Sequence, residues 1–131
     1  MAELVKSGVP SLASRTPAQT AVINVLAGVA IAAGDACYIH TDGTALLSTG
    51  AAANAAAKVR GFALTAAASG EAVSLYHDIA IRYGAGLTPG ANLFVSGTVP
   101  GGLADATSVG GTAAVGFVES ATVIRVLLST Y

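Results

Sequence analysis

The feature that most constrains the fold is an internal repeat. Residues 23–39 match residues 79–95 without a gap, at an offset of 56. The match retains glycines and apolar side chains and retains no His, Cys or carboxylate, so the repeated unit is a scaffold. Chance similarity in a chain rich in Ala and Gly is the alternative explanation. The paired glycines are Gly28 with Gly84 and Gly34 with Gly90.

The match resumes later with one residue deleted. Residues 59–63 there correspond to residues 114–118, and both stretches contain Gly-Phe. The sequence therefore predicts a β domain over residues 21–131, built from two similar halves at approximately residues 21–76 and 77–131.

Alternation with a period of two predicts strands. Odd positions from Val73 to Tyr83 are mostly large and apolar, as are Ile23, Val25, Val29 and Ile31 in the first half. Turn residues separate these runs. We predict an all-β fold, a small antiparallel barrel or sandwich of two similar halves with an extended N-terminal arm and at most one short helix.

Three turns and one helix can be placed. Residues 41–44 contain Asp-Gly, which predicts a hairpin with a type I′ turn. Residues 88–90 and 100–102 combine Pro and Gly and predict further turns. Residues 51–58, rich in Ala, are the one plausible helix. Because eight residues are marginal without tertiary support, we predict a single short helix or a loop there.

Residues 1–20 have a different character, with two prolines and only scattered apolar side chains. They predict an extended arm that is either a disordered tail or orders on a partner. Residues 11–20 are too polar for a secretory leader that would use residues 21–33 as its apolar region. The side chains expected to dock are Leu4, Val5, Val9 and Leu12, with Lys6 and Arg15 meeting carboxylates on the partner.

Composition excludes two classes of partner and favours a third. The six Lys and Arg are dispersed and the net charge is −1, so no basic stripe exists for nucleic acid. The apolar residues 21–33 are shorter than the ~18 residues that a membrane-spanning helix needs. Because 53% of residues are apolar and 10% charged, apolar surface should meet a protein partner. Val123 and Leu127, on the outer face of an apolar strand, are the predicted oligomer interface.

No catalytic, cofactor-binding or metal-binding residues are predicted. Cys37, His40 and Asp42 resemble a nucleophilic triad, but residues three apart on a strand point to opposite faces, and Cys37 aligns with Leu93 in the repeat. With only two histidines, His40 and His77, a metal site lacks ligands. Two carboxylates near equivalent strand ends, Glu71 and Glu119, are interpreted as solvated side chains.

Two glycine-turn units, residues 31–39 and 87–95, occur in a fixed order with residues 59–63, 69–73 and 115–118. This order resembles the capsid decoration, or cement, proteins of tailed bacteriophages. The resemblance covers roughly residues 21–131, and its motifs are short and based on glycine.

The resemblance implies a non-enzymatic structural protein of the virion, assembled in the host cytoplasm without a cofactor. Such a protein binds the major capsid protein on the outside of the head, often as a homotrimer, and reinforces contacts between capsomers. Residues 1–20 match the region where an extended arm contributes to capsid binding. The alternative is a carbohydrate- or receptor-binding module on a virion or cell surface, with Tyr76, Tyr83 and Tyr131 as its candidate aromatic residues.

Overall fold

A computed structural model describes residues 3–12 and 21–127 of the chain. These ranges contain eleven β-strands and one 3₁₀ turn, which confirms the all-β prediction. The strands are β1 (Lys6–Leu12), β2 (Ala21–Leu26), β3 (Ala36–Ile39), β4 (Ala45–Leu47), β5 (Gly61–Ala63), β6 (Ala72–His77), β7 (Ile79–Gly84), β8 (Asn92–Val95), β9 (Leu103–Ala104), β10 (Gly116–Val118) and β11 (Val123–Val126).

The strands form two antiparallel sheets with the same order. The first sheet runs β2-β6-β5-β3-β4, and the second runs β1-β7-β11-β10-β8-β9. Without β1, each strand of the second sheet occupies the place of its counterpart in the first. The internal repeat of the sequence is therefore a repeat of the fold.

Pairing between strands agrees with the sequence match to the residue. Cys37 lies opposite Gly61 in the first sheet, and Leu93 lies opposite Gly116 in the second. A Cβ atom at Gly61 would lie 2.6 Å from the Cβ atom of Leu75, and one at Gly116 would overlap neighbouring backbone. Close approach of the next strand explains why both copies keep this glycine.

The glycine-turn units are also equivalent. In the first, the Asp35 amide donates to the Ala32 carbonyl at 3.2 Å, and Gly34 has a φ of 89°. In the second, the Ala91 amide donates to the carbonyl of Thr88 at 3.2 Å, and Gly90 has a φ of 87°. A positive φ at the third turn residue is what a type II turn requires, and glycine adopts it without strain.

The first sheet closes on itself. Ala27, just after β2, forms a parallel bridge with Ala45 of β4, and the Gly28 amide donates to the Ala45 carbonyl at 2.9 Å. These contacts join the two edges of the sheet around a small core that contains Cys37 and Leu75.

The second sheet is closed by the N-terminal segment, defined as residues 3–12. Glu3 bridges Ala104, the Leu4 amide donates to the Leu103 carbonyl at 3.1 Å, and β1 pairs with β7. The expectation that this segment orders only on a partner differs from the structure. The segment offers few apolar side chains, but it gains backbone hydrogen bonds from two strand edges that are distant in sequence.

The larger core lies within the second sheet and continues into the first half. Its fully buried members include Tyr83, Ile124 and Val126, together with Phe62 and Val59 from the first half. Because the core crosses between the halves, the two sheets pack as one hydrophobic unit.

The run from Val73 to Tyr83, which the alternation predicts as strand throughout, is divided between the two sheets. Asp78 separates β6 from β7 and has a φ of 58°. The Nδ1 atom of His77, predicted to lie on the buried face, is 2.5 Å from the Asp78 carboxylate, and 15% of the His77 side chain is exposed. The junction between the halves is therefore a sharp polar bend.

Two local predictions can be compared with the structure. Residues 51–58 contain a single 3₁₀ turn, Ala55–Ala57, which agrees with the prediction of at most one short helix. The predicted hairpin joins β3 and β4, but its turn is not type I′, because Gly43 has positive φ and Asp42 does not. The His40 amide donates to the Thr44 carbonyl at 2.8 Å, which gives a three-residue loop with Gly43 as its left-handed residue.

Candidate interaction surfaces

The predicted capsid contacts of the N-terminal segment divide into exposed and engaged residues. Val5 and Val9 are 76% and 77% exposed, so they remain available to a partner. Leu4 packs against the larger core, and the backbone of Leu12 pairs with Ile81. Arg15 lies outside the described residues.

Lys6 forms an ion pair inside the molecule. Its ammonium lies 2.7 Å from Oδ1 of Asp35, whose side chain is only 10% exposed. The Oδ2 atom of Asp35 accepts the Ala32 amide at 2.9 Å, and Pro10 packs against Gly34 of the same turn. The N-terminal segment is thus attached to the first half as well as to the second sheet.

Glu3 also attaches the N-terminal segment to the rest of the molecule, through its side chain. Its Oε1 atom accepts hydrogen bonds from the hydroxyls of Ser96 and Thr98, the latter at 2.5 Å. Ser96 is buried and follows β8, in the position that His40 occupies in the first half. The two halves therefore differ where the N-terminal segment binds.

The predicted oligomer residues lie on the outer face of the second sheet. Cross-strand pairing of Phe117 with Arg125, and of Val123 with Arg82, places these four side chains on one face. Leu127 continues the same alternation and is 37% exposed. We call this set (Arg82, Phe117, Val123, Arg125 and Leu127) the outer face.

Sequence reasoning missed Phe117. It is 37% exposed, and its flanking residues in β10 are buried. Alternation in Gly116-Phe117-Val118 was the available signal, because Val118 must face the core. An outward aromatic side chain directly opposite Arg125 has the composition of a protein interface.

Cys37 and His40 are not brought together as a catalytic pair. Cys37 is fully buried, and its thiol approaches the Asp35 carbonyl at 3.7 Å. Burial, followed by repulsion from the Asp35 carboxylate, raises the pKa of the Cys37 thiol to about 12. The His40 side chain is 45% exposed and lies beside Asp42 on the surface.

The remaining candidate carboxylates have structural roles. Glu71 accepts the Ala68 amide at 2.7 Å and so stabilises a turn, and Glu119 pairs with Arg125 at 2.6 Å. Among the residues that the structure describes, no three His, Cys, Asp or Glu side chains form a metal-binding group. Nor do those residues include a helix with the length and hydropathy to cross a bilayer.

Of the aromatic residues proposed for the alternative function, the two that the structure describes do not form an exposed face. Tyr83 is 1% exposed, and burial is the main reason that the pKa of its hydroxyl is raised. Tyr76 is half-buried against the larger core, and Tyr131 lies outside the described residues. The prediction for Tyr83 is therefore wrong, because its place in β7 faces inward.

Comparison with known proteins gives no family assignment. No protein-family model matches the chain, and a search of curated proteins found no similar sequence. What the chain does must therefore follow from its own residues and their geometry.

Proposed function

We propose that the chain is a structural, non-enzymatic protein of a tailed-phage virion. It binds the major capsid protein on the outside of the head, associates as a homotrimer, and reinforces contacts between capsomers. The outer face is the observation that carries the proposal, because it combines exposed apolar side chains with arginines on a paired sheet. The order of the glycine-turn units, which resembles that of decoration proteins, supports the same conclusion.

The outer face has properties that favour a protein partner. Phe117 and Leu127 are each 37% exposed, and burying the rest of such side chains contributes roughly 1 kcal/mol apiece. Arginine and aromatic residues are enriched at the centres of interfaces. Each arginine lies opposite an apolar residue, and Arg125 is already oriented by Glu119.

The N-terminal segment supplies a second contact region. Val5 and Val9 are the most exposed large apolar side chains among the described residues. They flank Gly8, which has a φ of 71°, where the pairing of β1 with β7 becomes irregular. Since Lys6 and Pro10 hold the same segment to the first half, the two valines are presented from a fixed backbone.

A rigid scaffold suits a protein that reinforces a shell. Both sheets are closed by backbone hydrogen bonds, and one core crosses between them. Force applied at the outer face therefore reaches the first half through packed side chains, without a linker between two separate domains.

The test begins with virions purified from the phage that encodes the chain. Mass spectrometry should detect the chain in stoichiometric amounts, and cryo-electron microscopy should locate it on the capsid exterior. Its absence from purified particles overturns the proposal.

A matched pair of variants then tests the surface. Phe117→Glu should break the homotrimer and thereby abolish attachment to undecorated capsids, whereas Val109→Glu should bind normally, because Val109 is 73% exposed in a loop beside Ala53 and Asn54. Equal binding by both variants would show that attachment does not depend on the outer face.

A further inference from the structure

A depression beside the end of β3 is not used by the proposed function. Its volume is about 270 Å³. Aromatic and neutral polar side chains dominate its wall, and small aliphatic groups complete it. The lining residues are Tyr38, Ile39, His40, Thr41, Asn54, Ala55 and Ala56.

Two rings form one corner of this depression. The centroids of Tyr38 and His40 are 6.4 Å apart and their planes meet at 62°. The Nδ1 atom of His40 lies 3.4 Å from Oδ1 of Asp42. Asp42 is itself fixed by the amide and hydroxyl of Thr44, at 3.0 and 2.7 Å. The imidazole is therefore oriented, with Nε2 on the side away from Asp42.

The polar groups in the depression have unused hydrogen-bonding capacity. The Tyr38 hydroxyl has no hydrogen-bond partner among the described residues. Asn54 uses its side-chain oxygen to accept the Ala56 amide at 3.0 Å, which leaves its NH₂ group available. Together with His40 Nε2, these atoms provide hydrogen-bond donors and acceptors for a polar ligand.

The second half serves as an internal control. Tyr38 aligns with Phe94, so the scaffold requires an aromatic ring here and does not require the hydroxyl. His40 aligns with Ser96, which is buried and donates to Glu3 of the N-terminal segment. In the second half, Glu3 of the N-terminal segment therefore fills the space beside Ser96. In the first half, no described residue fills the corresponding space beside His40.

We propose that this depression binds a neutral pyranose residue of a glycan. One C–H face of the sugar packs on the Tyr38 ring, while its hydroxyls bond to the Tyr38 hydroxyl, His40 Nε2 and the Asn54 amide. A surface of aromatic area with a few placed polar groups is typical of small-molecule sites. Asp42 does not line the depression, and no Lys, Arg, Asp or Glu in its wall selects an ionic ligand.

A neighbouring depression extends the site. Its volume is about 550 Å³, and it shares Asn54 and Ala55 with the first. Lys58 and Val109 also line it. We therefore expect a disaccharide to bind more tightly than its component monosaccharide.

The experiment records NMR spectra of the full chain labelled with ¹⁵N. The protein is titrated with glucose, galactose, mannose and N-acetylglucosamine, and then with a disaccharide built from two units of each sugar. At least one should give saturable shifts at Tyr38, His40 and Asn54, with a dissociation constant in the millimolar range. Tyr38→Phe, which copies Phe94, should weaken binding about fivefold, the ratio expected for one net hydrogen bond. His40→Ser, which copies Ser96, should weaken it at least as much.

Tyr76→Phe is the control, because it removes a tyrosine hydroxyl outside the depression and should leave the affinity unchanged. Three results overturn the proposal: no saturable shift with any sugar of the panel, shifts that map elsewhere, or wild-type affinity in both Tyr38→Phe and His40→Ser. None of these results bears on attachment to capsids, which the virion experiments test separately.

Discussion

Replacing Asp35 by alanine tests whether the Lys6–Asp35 ion pair holds the N-terminal segment to the first half. Alanine is the residue that the second turn unit carries at this position, Ala91, so the backbone tolerates it. The change removes a charge-assisted hydrogen bond to the Ala32 amide, which contributes about 1.5–3 kcal/mol. It also leaves the Lys6 ammonium without its partner.

The ion pair adds a smaller contribution. Breaking a fully buried ion pair lowers the free energy of unfolding by about 3–5 kcal/mol. The cost is smaller here because the Lys6 side chain is 29% exposed, so water screens the pair and solvates the ammonium when its partner is removed. We assign about 1–2 kcal/mol to the pair. Asp35→Ala should therefore lower the free energy of unfolding by about 3 kcal/mol.

Urea denaturation of a double-mutant cycle measures this effect. Lys6→Met alone should lower the free energy of unfolding by about 2 kcal/mol, because it leaves the buried Asp35 carboxylate without its ion-pair partner. The double variant should be only slightly less stable than Asp35→Ala. The coupling energy should be about 1–2 kcal/mol. Glu119→Gln, at an ion pair whose side chains are 32% and 40% exposed, is the control and should cost less than about 0.5 kcal/mol.

Two results would refute the reasoning. A coupling energy under about 0.5 kcal/mol would mean that the two side chains do not act together. Equal destabilisation by Asp35→Ala and Glu119→Gln would mean that the burial of Asp35 has no energetic consequence.

Three further predictions follow from the fold and the outer face. Deleting residues 1–12 should lower the melting temperature by more than 10 °C and speed amide exchange in β7 and β9, because both lose a neighbour; unchanged melting would contradict the closure of the second sheet. The Cys37 thiol should react with a bulky reagent only as fast as the protein unfolds. Because its pKa is raised to about 12, the stability it contributes is complete below the unfolded thiol pKa of 9.0 and should be lost between pH 9.0 and about 12, as urea titrations in that range would show. Phe117→Glu should shift a homotrimer toward monomer in light scattering with unchanged circular dichroism, and a wild-type protein that is already monomeric at micromolar concentration would refute the oligomer.

Alternation and turn residues predicted the all-β class. The structure explains why the paired glycines match: Gly34 and Gly90 adopt positive φ in turns, and Gly61 and Gly116 lie where the next strand approaches closely. These constraints are local to each copy, so they appear in the sequence twice. They do not give the strand order of the two sheets, because that order depends on which distant strands pair.

Features that depend on distant partners could not be predicted in the same way. The N-terminal segment has weak periodicity because its order comes from the edges of β7 and β9 and from Asp35. The Ala-rich residues 51–58 have high helix propensity, but short length limits them to a single turn. The depression beside β3 is lined by Tyr38 and Asn54, which belong to separate segments of the sequence, so the strand pattern at Tyr38 alone does not reveal it.

Closure of the second sheet by the N-terminal segment has a consequence for synthesis on the ribosome. Glu3 and its partner Ser96 are 93 residues apart, so at ~5–20 residues per second the segment waits roughly 5–20 s for that partner. The first sheet can close during this interval, because β2 to β6 are all translated before β7. Until β7 is translated, β1 lacks its partner strand and is a site for unwanted association between nascent chains. Lys6, Gly8 and Pro10 reduce that hazard, since a charge, an irregular backbone and a missing amide donor each disfavour edge-to-edge pairing.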